Sequence, residues 1–226
     1  MSFMLNNDYI DIHSHNKEEE KGVIRFINLF PGQLNNFIIS GEHYFTLGIH
    51  PWYIKEYCLE EDIDLIKNYC EHKNCRAIGE IGLDRITDFP LEKQTEIFLK
   101  QLNIAELINK PAIIHCVKAF PELLSIKKSR ESKIPWIIHG YNNNSQIAQE
   151  LLAHNCYISF GYHLMVDNSN AQKVFKKIPV NMFLLESDDK KITIQEVYKA
   201  AAEIKEMDIK KLKETVFFNY SNIFEI

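Results

Sequence analysis

Two histidines lie two residues apart directly behind an apolar run, in the order Tyr9-Ile-Asp-Ile-His-Ser-His15. Side chains i and i+2 of an extended chain point to the same face, so His13 and His15 can both reach one metal ion. A histidine pair alone is weak support for a metal site, because a strand histidine is more often a core or surface residue held by hydrogen bonds. Further ligands are needed.

Four more potential ligands follow or end other apolar runs: Glu80, His115, His139 and Asp188. Imidazole and carboxylate groups hold divalent ions in hydrolases, which leave open positions for water and substrate. Six such groups can hold two ions, with one carboxylate bridging them. The sequence therefore predicts a two-metal hydrolytic site, provided that the fold brings these residues together.

Short apolar runs alternate with longer amphipathic ones along the chain. The runs predict strands at residues 9–13, 23–29, 44–49, 76–83, 112–116, 136–139, 157–160 and 182–185. The amphipathic segments predict helices at residues 59–72, 91–109, 119–128, 145–154, 168–177, 193–206 and 208–218. This alternation favours a parallel sheet, and eight repeats favour an α/β fold of the (β/α)₈ TIM-barrel type.

The first part of this barrel is expected to be reduced. Residues 16–22 are too few for a crossover helix, and residues 31–41 allow at best a short one. Residues 1–226 are expected to form a single domain, since the chain has no linker or low-complexity segment. The candidate ligands then lie at or near the carboxyl ends of strands, where catalytic residues of such barrels converge.

Composition excludes several classes of protein. A net charge of −5 argues against coating nucleic acid by bulk electrostatics, although it does not exclude a phosphate-cleaving enzyme. Five cysteines without Cys-x-x-Cys spacing argue against a disulfide framework or a cysteine zinc site. With no leader-like start at residues 1–8 and no long apolar stretch, a cytoplasmic protein without membrane contact is expected.

Eight short segments, in order along nearly the whole chain, resemble the TatD-type metal-dependent deoxyribonucleases of the amidohydrolase superfamily. They are Asp11-Ile-His-Ser-His15, Gly48-Ile-His-Pro-Trp52, Ala77-Ile-Gly-Glu-Ile-Gly-Leu-Asp84, Pro111-Ala-Ile-Ile-His-Cys116, His139-Gly-Tyr141, Ile158-Ser-Phe-Gly161, Leu184-Leu-Glu-Ser-Asp188 and Asn219-Tyr-Ser-Asn222. Many amidohydrolase relatives have a carboxylated lysine where this chain has Glu80, and the glutamate points to the TatD branch.

The resemblance implies a role for each ligand. His13, His15 and Asp188 would hold one divalent ion, His115 and His139 the other, and Glu80 would bridge them. Asp188 would also accept the proton of the attacking water, so that Asp188 and Glu80 form the catalytic pair. The ions would be Mg²⁺, Mn²⁺, Zn²⁺ or similar. The implied activity is exonucleolytic hydrolysis of DNA, single-stranded or at 3′ ends, with no obligate protein partner.

Substrate contacts are less defined. His50 is a candidate phosphate contact, and its alternative is a turn-stabilising histidine before Pro51. Lys118 stands where many members of the family carry an arginine. It either supplies a positive charge to the substrate, without the paired hydrogen bonds of a guanidinium group, or is a solvated residue at the start of a helix. His163 either lines the pocket or faces solvent. Aromatic residues near the expected mouth can stack on bases, although packing explains most of them: Trp52, Tyr53, Tyr141 and Tyr162.

Two alternative functions stay open from the sequence. The same metal chemistry on this scaffold also hydrolyses amides, lactones or phosphoesters of small molecules. A third hypothesis is an inactive scaffold that binds metal, and the complete set of six ligands argues against it.

Overall fold

The computed structural model describes residues 8–36 and 43–225. The described strands are β1 (Tyr9–Ser14), β2 (Val23–Leu29), β3 (Tyr44–Leu47), β4 (Cys75–Asp84), β5 (Ala112–Val117), β6 (Trp136–Ile138), β7 (Cys156–Phe160) and β8 (Phe183–Leu185). The described α-helices are α1 (Leu59–Cys70), α2 (Leu91–Leu107), α3 (Phe120–Ser129), α4 (Ser145–Ala153), α5 (Asn170–Lys177), α6 (Ile194–Lys205) and α7 (Ile209–Phe224). In sheet order the strands follow the chain from β1 to β8. The predicted alternation is confirmed.

The chain divides into two compact units, Met1–Phe26 with His139–Ile226 and Ile27–Ile138. The expectation of a single domain over residues 1–226 stays a prediction. No helix lies between β1 and β2, since residues 15–22 are described and contain only a turn, and between β2 and β3 the described residues form a 3₁₀ helix at Pro31–Asn36. Residues 37–42, where the short predicted helix would continue, and residues 1–7 lie outside the described chain.

In the unit Ile27–Ile138, β3, β4, β5 and β6 pair in parallel. β4 is buried along almost its whole length, as expected for a parallel strand that is covered on both faces. Two buried glutamines of α2 bind the backbone where strands end. Gln101 accepts a hydrogen bond from Ile49 N at 2.7 Å, and Gln94 accepts one from Asp84 N at 2.7 Å. Helix α2 therefore fixes the chain beside two predicted functional segments.

The other unit contains the parallel pair β7 and β8, with α6 and α7 packed against β1 and β8. The buried Tyr198 of α6 accepts a hydrogen bond from Ile10 N at 3.0 Å and donates one to Ile10 O at 3.2 Å. Asn219 of α7 donates to Phe183 O at 2.9 Å. These side chains bind strand backbone and set the position of β1 and β8, which end at candidate ligands.

All five cysteines are free, in agreement with the sequence prediction of no disulfide framework. Among the described helices, none combines the length and the apolar character that crossing a membrane requires.

Candidate metal centres

In the unit formed by Met1–Phe26 and His139–Ile226, here called the first unit, three predicted ligands come together at strand ends. The ligand atoms of His13, His139 and Asp188 lie within 4.8 Å of one another. His13 Nε2 lies 3.5 Å from Asp188 Oδ1, and His15 Nε2 lies 3.7 Å from the same atom. The His13 side chain is fully buried, whereas those of His15 and Asp188 are 32% and 27% exposed. A protected imidazole thus faces a carboxylate that solvent can reach.

Backbone hydrogen bonds place Asp188 against the end of β1. Asp188 N donates to His13 O at 2.9 Å, and His15 N donates to Asp188 O at 3.2 Å. Asp188 has φ +56°, in the left-handed region that residues with side chains rarely adopt. Such strained positions persist only where surrounding structure fixes them, and they concentrate at functional sites.

Three hydrogen-bonded side chains, those of Ser187, Asp11 and Arg25, support the segments that carry these ligands. Ser187 donates to Asp11 twice, from N at 2.9 Å and from Oγ at 2.7 Å, and Arg25 Nε donates to Asp11 Oδ2 at 3.1 Å. Burial raises the pKa of Asp11 to about 6, and the bonds from Ser187 and Arg25 only partly oppose that rise. Because Ser187 precedes Asp188 and Asp11 precedes His13 by two residues, this group ties the two ligand segments together.

Glu186 is a buried carboxylate to which the sequence reasoning gave no role. Its Oε1 accepts a hydrogen bond from Gly140 N at 2.6 Å and lies 3.5 Å from His139 Nδ1. A Cβ on Gly161 would lie 2.9 Å from Glu186 O, so this glycine permits the close approach of the two chains. The only sequence signal was its place in Leu184-Leu-Glu-Ser-Asp188, two residues before a ligand.

In the unit Ile27–Ile138, here called the second unit, Glu80 of β4 lies between two imidazoles. Its Oε1 is 2.9 Å from His115 Nδ1 and 3.2 Å from His50 Nε2. Asn28 holds the rest of the glutamate, since Asn28 Nδ2 donates to Glu80 Oε2 at 3.3 Å and Glu80 N donates to Asn28 Oδ1 at 2.9 Å. One carboxylate oxygen is therefore fixed and the other faces the histidines.

The hydrogen bond at Nδ1 of His50 determines whether Nε2 carries a proton. His50 Nδ1 accepts a hydrogen bond from Trp52 N at 3.0 Å and caps the 3₁₀ helix Pro51–Tyr53. In a neutral imidazole with an accepting Nδ1, Nε2 carries the proton. His50 is thus a donor to Glu80 rather than a metal ligand, even though its ligand atom lies within 4.8 Å of those of Glu80 and His115. His50 therefore stabilises the turn at Pro51, one of the two alternatives drawn from the sequence, and it also lies beside Glu80 and His115.

Asp84, at the end of β4, completes this group. Its Oδ2 lies 2.9 Å from His115 Nε2 and accepts a hydrogen bond from Trp52 Nε1 at 2.6 Å. Burial alone would raise the pKa of Asp84. Hydrogen bonds from His115, Ile86 and Trp52 together outweigh burial, so the pKa of Asp84 lies below its usual value. Asp84 is therefore an ionised acceptor at neutral pH.

The other predicted substrate residues lie after strands β5 and β7. Lys118 is exposed and has φ +53°. His163 is half-buried in the 3₁₀ helix Tyr162–Met165, and burial together with the charge of Lys190 lowers its pKa. Among the predicted stacking residues, Tyr141 is buried, whereas the others keep much of their surface in solvent: Trp52 58%, Tyr53 50% and Tyr162 40%.

The donor sets fit divalent ions. Each unit presents imidazole nitrogen and carboxylate oxygen, and at least one ligand in each is buried; these are the ligands that catalytic zinc and manganese sites use. The structure groups His139 with His13 and Asp188. The expectations that His139 shares an ion with His115 and that Glu80 bridges two ions relate residues of different units, and they stay predictions.

Comparison with sequence models and with curated proteins identifies a family. The sequence model described as TatD related DNase matches residues 34–225. The Bacillus subtilis (strain 168) protein named uncharacterized metal-dependent hydrolase YabD is 30% identical over 199 residues, covering 81% of this chain and 78% of the relative. The human protein named 3′-5′ RNA nuclease TATDN2 is 28% identical over 152 residues, 63% of this chain and 19% of that protein.

A solved structure extends the likeness to the fold. The Escherichia coli K12 TatD homologue YjjV superposes with a TM-score of 0.80 at 19% identity, covering 98% of this chain and all of that one. At this identity the likeness shows the fold alone. The predicted α/β barrel of the TIM type, with eight parallel strands and helices between most of them, is confirmed.

Proposed function

The chain belongs to the TatD-related DNase family and is a metal-dependent hydrolase of that family, and we propose that it is an exonuclease that cleaves phosphodiester bonds of DNA. The observation that carries the proposal is the grouping of imidazole and carboxylate ligands within or just after strands, His13 with His139 and Asp188, and Glu80 with His115. The relative named a 3′-5′ RNA nuclease supports a nucleic acid substrate and attack at 3′ ends.

We propose two divalent ions, Mg²⁺, Mn²⁺ or Zn²⁺. His13, His139 and Asp188 would hold one, with His15 beside them, and Glu80 and His115 would contribute to the other. Bound ions of this kind supply Lewis-acid activation of water and of a phosphoryl oxygen. The protein's contribution is to fix the ligands, through Ser187 and Asp11 in one unit and through Asn28 in the other.

Asp188 is the proposed general base. Its side chain is 27% exposed, so a water molecule can reach it, and the buried His13 imidazole lies 3.5 Å away. A general base within hydrogen-bond reach of the attacking water contributes about 10²- to 10⁴-fold to the rate. Glu80, oriented by Asn28, is its proposed partner carboxylate in the second unit.

Substrate binding would use cations and exposed rings. Lys118 offers an exposed ammonium group after β5, and His163 offers an imidazole N–H group for phosphate oxygens, whereas the N–H of His50 already lies against Glu80. Bases of a single strand would stack on Trp52 and Tyr53, which keep half or more of their surface in solvent. The five free cysteines agree with a reducing compartment, and we assign the enzyme to the cytoplasm.

The test is digestion of 5′-labelled single-stranded DNA, with RNA and duplex DNA of the same sequence in parallel, in Mg²⁺ or Mn²⁺. Asp188→Asn and Glu80→Gln remove a charge without changing shape and should each lower the rate by about 10²-fold or more. Asp189→Asn is the matched control, because Asp189 is the exposed neighbour of Asp188 and pairs with Lys190; its rate should stay at the wild-type value.

A ladder of shortened products that requires metal and disappears in both variants supports the proposal. Metal-dependent cleavage of RNA alone would transfer the assignment to a ribonuclease. If the protein binds metal and cuts neither polymer, the nuclease proposal is wrong, and hydrolysis of small-molecule amides, lactones or phosphoesters becomes the function to test.

A further inference from the structure

One oxygen of Asp84 contacts two aromatic side chains that have different proposed tasks. Oδ2 lies 2.9 Å from His115 Nε2 and accepts from Trp52 Nε1 at 2.6 Å. The other oxygen accepts from Ile86 N at 2.7 Å, and Gln94 binds both the N–H and the carbonyl of Asp84. Asp84 is fully buried. The position of this oxygen is therefore fixed from several sides.

The contact with Asp84 determines which nitrogen of His115 carries a proton. Both oxygens of Asp84 accept N–H groups, Oδ2 from Trp52 Nε1 and Oδ1 from Ile86 N, so this side chain acts as an acceptor and His115 Nε2 is placed as the donor to it. In the neutral ring Nδ1 then presents its lone pair, and Nδ1 is the atom that lies 2.9 Å from Glu80 Oε1. Asp84 thus directs the lone pair of His115 toward the proposed ligand Glu80.

The same oxygen orients the ring of Trp52. An indole has a single polar group, its N–H, and here that group donates to Asp84 while 58% of the residue remains exposed. The Trp52 ring centroid lies 6.4 Å from that of His115 and 5.5 Å from that of His50. The exposed ring is thereby held beside the proposed ligands.

We propose that Asp84 is a positioning residue that sets the metal-binding tautomer of His115 and the orientation of Trp52 as a stacking surface for a nucleobase. Metal binding and substrate binding would thus both depend on this carboxylate. The inference rests on the proposed function, since it assigns a ligand and a base to the two rings.

The first measurement is the affinity of the protein for Zn²⁺ and Mn²⁺ by competition with a chelating dye, with no substrate present. Asp84→Asn should weaken binding about 10- to 100-fold, as loss of a carboxylate behind a histidine ligand commonly does. Trp52→Phe keeps a ring but loses the N–H, so metal affinity should stay near the wild-type value while KM for a single-stranded oligonucleotide rises about fivefold. Asp64→Asn, an exposed carboxylate of α1, is the matched control.

The second measurement needs no variant. Nitrogen-15 NMR of histidine-labelled, Zn²⁺-loaded wild-type protein identifies the protonated nitrogen of His115, and the expected result is a proton on Nε2. A proton on Nδ1 overturns the proposal, even if Asp84→Asn does not fold. Wild-type metal affinity in folded Asp84→Asn also overturns it, and an unchanged KM in Trp52→Phe overturns the role assigned to the ring.

The affinity and NMR results are independent of nuclease activity. If no nucleic acid is cut but Asp84→Asn loses metal affinity and His115 carries its proton on Nε2, then the proposed substrate is wrong and the positioning of His115 stands. If DNA is cut and Asp84→Asn binds metal normally, the nuclease function stands and the positioning role of Asp84 is wrong.

Discussion

Replacement of Gly82 by alanine tests whether close contact between β4 and β5 positions His115. A Cβ at Gly82 would lie 1.9 Å from His115 O and 2.8 Å from the carbonyl carbon of His115. The obstacle is backbone rather than a flexible side chain, and φ at Gly82 is +152°, which L residues rarely adopt. Alanine must therefore displace one of the two strands at the residue proposed to bind metal.

The cost of this displacement has two parts. Overpacking a close-packed interior destabilises by roughly 1–3 kcal/mol. An unfavourable backbone conformation adds roughly 1–3 kcal/mol. We therefore expect Gly82→Ala to lose about 2–6 kcal/mol of unfolding free energy, a large part of the total of roughly 5–15 kcal/mol that is usual for a domain.

The assay is urea unfolding of the metal-free protein followed by circular dichroism. Gly32→Ala is the matched control, because a Cβ at Gly32 would meet no atom within 4 Å and its φ is not positive. Gly32→Ala should unfold within about 0.5 kcal/mol of wild type. If Gly82→Ala differs from this control by less than about 1 kcal/mol and binds metal as tightly, the close contact does not position His115 and the reasoning is refuted.

Three further predictions concern metal and buried polar groups. Removal of metal by a chelator should lower Tm, and readdition at about 100 times Kd should restore roughly 2.7 kcal/mol of stability, measured by calorimetry. Tyr198→Phe leaves Ile10 N without its acceptor in the core and should cost about 1–3 kcal/mol in urea unfolding. Asp11 has a folded pKa of about 6 against 3.8 for an ordinary aspartate, so the folded state holds the extra proton and unfolding free energy should fall, by at most roughly 3 kcal/mol, as pH rises from about 4 to 6. Asp11→Asn should abolish that slope in metal-free protein, and an identical slope in the variant would contradict the assignment.

The order of elements could be predicted because hydrophobic periodicity is local, whereas their ends depend on distant contacts. The last helix was predicted to end at residue 218 and continues to Phe224. The helix continues through the polar segment Asn219-Tyr-Ser-Asn222, in which Asn219 is buried and donates to the carbonyl of Phe183. Strand three was predicted to reach Ile49 and ends at Leu47, because the backbone of Ile49 binds the Gln101 side chain instead of a strand.

The candidate ligands were predictable for a related reason. His13, His115 and Asp188 are uncommon residue types at the ends of apolar runs, and parallel strands bring such ends to one side of a sheet. The carboxylates behind them were harder to assign, since Asp84 and Glu186 act through hydrogen bonds with partners distant in sequence. Trp52 and Asp84 are separated by 32 residues, and Gly140 and Glu186 by 46.

Two imidazoles face the same oxygen of Glu80, and their other hydrogen bonds give them opposite functions. His50 accepts at Nδ1 from Trp52 N, so its Nε2 approaches Glu80 with a proton. In the proposed tautomer His115 donates from Nε2 to Asp84, so its Nδ1 approaches Glu80 with a lone pair. A ligand count that treats both rings alike would assign two histidine ligands to this group. The proposed arrangement has one ligand, His115, and one donor, His50, and Trp52 contacts both, through its backbone for His50 and through Asp84 for His115.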